Sequence, residues 1–144
     1  IGFIKYIFPG AKIINCKRDS LDVSWSIFKN YFSGSLLFSN DLKDIASFYN
    51  SYEELMSFWR DKFPGFIYDI KYENLVDDPK KEILKLLDYC GLDWDDNCLN
   101  HHKNTRSIKT ASSTQARKPI YKSAINSSKI FKEYLNSLIE NIKY

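Results

Sequence analysis

Apolar residues recur every three or four positions at Leu42, Ile45, Ala46, Tyr49, Tyr52, Met56, Trp59 and Phe63. That spacing lines one face of an amphipathic helix and is the clearest periodic signal in the chain. Pro64-Gly65 marks its end. Upstream, residues 1–8 are apolar-rich and stop at the turn signal Pro9-Gly10. The apolar run at 11–16 lies between that turn and a charged break, and reads as a buried strand. Asp19 and Ser20 are both N-cap candidates for a helix over residues 21–31, and residues 32–40 read as a loop. Residues 66–72 form a second strand pattern. Pro79 suits the first position of a helix running to Cys90, with Gly91 as its cap. Residues 92–116 are mostly polar and loop-like, and a last helix is expected from about residue 126 to the end. This order predicts an α/β fold with parallel strands flanked by helices, of which the chain supplies part.

Composition narrows the function classes. A chain of 144 residues fits one ordinary domain. A hydrophobic fraction of 44% excludes a disordered chain, which would hold too little apolar material to offset its entropy. The net charge of +3 permits an anion held locally but is no nucleic-acid signature. Cys16, Cys90 and Cys98 are odd in number and lack metal-ligand spacing, which argues for a reducing compartment and a cytoplasmic location. No apolar run approaches the roughly 20 residues of a membrane span. The chain opens on Ile1 inside an apolar segment, as expected of a piece of a longer protein.

Candidate chemistry gathers in a few places. Ligands of open α/β sheets sit beyond the carboxyl ends of the strands, which puts Arg18 and Tyr72 at that edge. A guanidinium there can grip a phosphate in bidentate fashion. Asp22, Ser26 and Asn30 share a polar stripe of the following helix, leaving Val23, Ile27 and Tyr31 for the core. The Ser26 hydroxyl, helped by the field of a helix N-terminus, suits the same phosphate. On residue type alone, a surface ion pair and a solvent-facing serine are the more ordinary reading of the same residues. Further on, Ser112, Gln115, Arg117 and Lys118 place cations beside hydroxyls and an amide in a loop stiffened by Pro119, which suits an anionic ligand or simply a solvated basic loop. His101 and His102 point in different directions and favour a loop role over metal binding. Cys90 and Cys98 read as small buried residues. Trp25 and Trp59 read as core. The pairs Glu53-Glu54, Asp77-Asp78 and Asp95-Asp96 read as solvated charge.

Several of these segments, in this order, resemble the sulfotransferase family, most closely its tyrosylprotein-sulfotransferase-like and bacterial branches. They are Phe8-Pro-Gly-Ala-Lys-Ile-Ile14 with Arg18-Asp19 and Ser26, Tyr72-Glu-Asn-Leu-Val-Asp-Asp-Pro79, Leu87-Asp-Tyr-Cys-Gly-Leu-Asp-Trp94, and Thr110-Ala-Ser-Ser-Thr-Gln-Ala-Arg-Lys-Pro-Ile-Tyr121. The resemblance implies transfer of a sulfuryl group from 3′-phosphoadenosine 5′-phosphosulfate (PAPS) to a hydroxyl of a protein, sugar or small molecule, without metal. It implies that Arg18 and Ser26 hold the 3′-phosphate and that Tyr72 lies along the adenosine. Ser112, Gln115, Arg117 and Lys118 would close over the nucleotide, with Ser112 also near the leaving oxygen as a catalytic aid. The implied fold is of the P-loop nucleotide-hydrolase type, with residues 1–144 as the C-terminal part of a single sulfotransferase domain.

The departures from the family are specific. Asn30 stands where some relatives carry a basic residue. An aromatic usual near Ser128 is missing, with Lys129 alongside as a possible substitute charge. Nothing matches GxxxxGK[ST] or another Gly-rich phosphate loop. The 5′-phosphosulfate loop and the main catalytic base are expected upstream of Ile1, so this chain alone should transfer sulfate slowly or not at all. The alternative is a non-catalytic module, derived from a sulfotransferase, that binds nucleotide or protein.

Overall fold

A computed structural model describes residues 1–30, 32, 36–107 and 113–144. The 41–63 periodicity forms a helix over Leu42–Lys62, capped by Asp41, whose carboxylate accepts from the Lys43 and Asp44 backbone N–H groups. In chain order the elements are α1 (Gly2–Ile7), β1 (Ile13–Lys17), α2 (Ser20–Lys29), α3 (Leu42–Lys62), β2 (Ile67–Lys71), α4 (Tyr72–Asp77), α5 (Pro79–Cys90), α6 (Ser113–Ala116) and α7 (Asn136–Asn141), with short 3₁₀ turns between some of them. The two strands pair in parallel. Asp19, one of the two cap candidates, accepts from the Asp22 N–H at 2.9 Å and starts α2. Pro79 opens α5, which Gly91 ends in the left-handed conformation at φ 69°. A residue without Cβ takes that conformation most readily.

The described residues fall into two compact units. The first holds residues 1–13, 18–67 and 123–144. Its core is Ile45, Ala46, Leu135 and Leu138, against which Leu21, Trp25, Ile27 and Phe38 pack. Trp25 meets Phe131 with ring centroids 4.4 Å apart. Asn50, itself buried, fastens α3 to the end of α7: its amide donates to the Asn141 carbonyl at 2.8 Å, and its oxygen accepts from the Lys143 N–H at 2.9 Å. The second unit holds residues 14–17 and 68–122. There Tyr68 stacks on Tyr89, centroids 5.1 Å apart, and Asn15 of β1 donates to the Asp69 carboxylate of β2.

Several expectations need correcting. The first strand is half-buried, with Ile13, Asn15 and Lys17 partly covered and Ile14 and Cys16 exposed, because its pleat turns alternate residues to an open face. A single last helix from residue 126 does not form. Asn126 adopts φ 59°, its N–H donates to a side chain, and a 3₁₀ segment at Lys129–Tyr134 precedes α7. Glu53 is buried, since α3 turns it inward and the Tyr49 hydroxyl donates to it at 3.3 Å. Burial of the Tyr49 hydroxyl itself, followed by the Glu53 charge and hydrogen bond, raises the Tyr49 pKa. The other carboxylates of the expected solvated pairs, Glu54, Asp77, Asp78, Asp95 and Asp96, are indeed exposed; among them Asp78 caps α5, Asp77 pairs with Lys122 at 3.0 Å, and Asp96 accepts from the Trp94 indole at 2.8 Å. Cys90 and Cys98 are only partly buried, and all three cysteines are free.

One contact in the first unit makes a prediction. A Cβ on Gly2 would lie 2.5 Å from the tip of the Trp59 indole, which stacks on Phe63 and meets Phe58 edge-on. Moving the indole disturbs both partners, so overpacking outweighs the gain in helix propensity. Gly2→Ala should cost about 1–3 kcal/mol of stability in urea unfolding.

Candidate functional site

Arg18 follows β1 directly, and its side chain is 20% exposed. One of its terminal nitrogens donates to the Ala124 carbonyl and lies 3.7 Å from the Asp22 carboxylate. Asp22 is 1% exposed and is the hub of the arrangement. Its Oδ2 accepts from the Asn126 N–H at 2.6 Å, and its Oδ1 accepts from the Ser128 N–H at 2.8 Å and the Ser127 hydroxyl at 3.4 Å. The carboxylate therefore binds the start of α2 to the turn at 124–128. The expected polar stripe is broken at this point: Asp22 is a buried anchor, not a ligand-facing group.

Burial alone would raise the Asp22 pKa. Hydrogen bonds from Ser128 and Asn126, and the charge of Arg18, outweigh it and hold the carboxyl below 3.8. A depressed folded pKa contributes stability that is present above the unfolded value and lost as pH falls through the folded one. The stability gap between the wild type and Asp22→Asn should therefore be full above about pH 5 and shrink steadily below about pH 4. Urea unfolding along an acid series measures it.

Ser26 is half-buried and lies in the C-terminal half of α2. A helix N-terminal field fades within the first turn, so it does not reach Ser26, contrary to the sequence expectation. What remains is a hydroxyl one turn beyond Asp22 on the same side of α2. Asn30 donates its amide to the Ser26 carbonyl at 2.6 Å and ends the helix. Ile27 packs against the core as expected, Val23 is half-buried, and Tyr31 lies outside the described residues.

In the second unit, Tyr72 opens α4 immediately after β2 and is half-buried. Gln115 is exposed on α6, and Lys118 is exposed beyond it. Arg117 spreads its fork over two carbonyls, to Asn104 at 2.7 Å and Arg106 at 2.9 Å, and so braces the loop before it. His101 Nε2 lies 3.2 Å from the Lys118 carbonyl oxygen. Ser112 lies outside the described residues. The candidates thus divide: Arg18 and Ser26 belong to the first unit, and Tyr72, Gln115, Arg117 and Lys118 to the second. A surface depression of about 270 Å³ lined by Lys43, Asn50, Glu54 and Lys143 includes none of them.

Chemically, a part-exposed guanidinium directly after β1 suits a phosphate group, and the Asp22 carboxylate 3.7 Å away orients it. Among the described residues, no group of three His, Cys, Asp or Glu is placed to hold a metal ion. Asp22 could have been suspected from its i, i+4 spacing to Arg18. The carbonyl partners of Arg117 carry no signal in the sequence.

Residues 1–96 match the model of the sulfotransferase family. An uncharacterized protein of Aquifex aeolicus (strain VF5) is 38% identical over 143 residues, or 97% of this chain. The chain spans 19% of the length of that curated relative.

Proposed function

The chain belongs to the sulfotransferase family, and on that premise we propose that it supplies the part of a PAPS-dependent sulfotransferase that holds the nucleotide's 3′-phosphate. The observation that carries this reading is the Arg18 guanidinium, partly exposed directly after β1 and set by a buried carboxylate. In this reading Arg18 and Ser26 bind the 3′-phosphate, and Tyr72 borders the adenosine. Gln115 and Lys118 add contacts from their loop. Arg117 acts either through the loop it braces or by giving up one carbonyl and donating that N–H to the phosphate. Ser112 stands near the leaving oxygen. The fold that goes with this role is of the P-loop nucleotide-hydrolase type.

PAPS, when bound, supplies the sulfuryl group and leaves as 3′-phosphoadenosine 5′-phosphate (PAP). Sulfuryl transfer resembles phosphoryl transfer in depending on positioning and on neutralising charge at the leaving group. The residues of this chain contribute the positioning. The acceptor is a hydroxyl of a protein, sugar or small molecule, and the free cysteines suit a reducing compartment such as the cytoplasm.

The test is transfer of labelled sulfate from PAPS by the full-length protein to tyrosine peptides, sugars and phenols. Labelled product with matching release of PAP is expected. Label that stays on the donor with every acceptor class would overturn the enzymatic reading.

A further inference from the structure

The carboxylate of Asp22 joins two parts of the chain that are far apart in sequence. On one side is Arg18, whose terminal nitrogen lies 3.7 Å from Oδ2. On the other is the turn at 124–128, from which two backbone N–H groups and one hydroxyl donate to the same carboxylate. The ring closes because Arg18 itself donates to the Ala124 carbonyl in that turn. At 1% exposure, Asp22 cannot touch a nucleotide directly. We infer that Asp22 is the positioning residue of the phosphate grip: it fixes the direction of the Arg18 guanidinium and fastens the 124–128 turn, with the Ser127 hydroxyl, beside it. The inference rests on the nucleotide-binding reading above.

The physical argument concerns what else could occupy that position. A carboxylate offers only acceptors, and all the contacts around it are donors. An asparagine keeps the shape but turns an NH₂ toward either the Asn126 or the Ser128 N–H. One donor then faces another, and the charge that orients Arg18 is gone. The turn itself is shaped by Asn126 at φ 59°, a conformation asparagine adopts more readily than most residues, and the carboxylate bonds to the N–H groups on both arms of it. A guanidinium free to rotate among rotamers must be ordered when phosphate arrives, which weakens binding.

The experiment measures PAP and adenosine 5′-phosphate affinities for full-length wild type, Asp22→Asn, Arg18→Ala and the double variant. Asp22→Asn should weaken PAP about tenfold or more and leave adenosine 5′-phosphate nearly unchanged. Arg18→Ala should cost much less in the Asp22→Asn background than alone, because the two act as a unit. In the wild type, PAP should slow hydrogen exchange at the Asn126 and Ser128 amides, and this arm decides the matter should Asp22→Asn not fold. Exchange unchanged by PAP overturns the inference. So does an additive double variant, or equal loss of both nucleotides. If the wild type shows no preference for PAP over adenosine 5′-phosphate, the nucleotide reading itself fails and takes this inference with it. A clear preference that survives Asp22→Asn overturns the positioning role alone.

Discussion

Leu138→Ala is expected to lower the stability of the protein by about 2–5 kcal/mol, with no change of fold. Leu138 is 0% exposed and packs with Ile45, Ala46 and Leu135 where α7 meets α3. Truncating it removes buried apolar area and leaves a cavity, whose cost depends on how far the neighbours collapse inward. Collapse is restricted here. Asn50 of α3 holds the α7 end by two hydrogen bonds to the backbone at 141 and 143, which fix how the two helices meet, so α7 cannot shift on α3 to fill the gap without distorting them. The expected cost therefore lies toward the upper part of that range. Urea unfolding measures it, with Leu37→Ala as the control, since Leu37 is 77% exposed and should shift stability by no more than about 0.5 kcal/mol. A cost for Leu138 as small as the control's would mean that α7 does not pack on α3 as described.

Arg18→Ala is expected to weaken PAP binding by on the order of 2 kcal/mol or more, roughly thirtyfold. The side chain is largely buried, so its contact with a phosphate would form in a partly desolvated setting, where charge-assisted hydrogen bonds are strongest. Arg18→Lys should recover only part of the loss, because an ammonium keeps the charge but cannot form two parallel hydrogen bonds to one phosphate. Asp22 keeps its donors from residues 126–128 in either variant, so the local fold has support without the guanidinium. Isothermal titration with PAP supplies the affinities. Equal binding by wild type and Arg18→Ala would remove Arg18 from the site.

The elements that depend on local rules were legible in the sequence. The periodic stripe of α3, the Asp19 and Asp41 caps, and the Pro79–Gly91 frame of α5 each follow from residues within a turn of one another. The family resemblance supplied the roles proposed for Arg18, Ser26 and Tyr72, which composition alone left open between ligand contact and ordinary surface. Contacts made across long separations were hidden. Asp22 reads as one more polar helix residue until the turn at 126–128 is seen to bond to it. That contact also explains why the chain past residue 126 is not one helix, since the turn is committed to a side chain elsewhere. Glu53 misled for a related reason: adjacent carboxylates suggest solvation, but helix geometry turns Glu53 inward and leaves Glu54 at the surface. The helix-field argument for Ser26 failed on position, because α2 begins at Ser20 and the field does not extend to its far half.

The central claim is that this chain recognises a nucleotide by its 3′-phosphate. Calorimetric titration of the full-length protein with PAP and with adenosine 5′-phosphate, under identical salt, tests it most directly. A second phosphate gripped by a set guanidinium should make PAP bind tighter by about a hundredfold, or roughly 2.7 kcal/mol. Equal affinity for the two nucleotides would contradict the account.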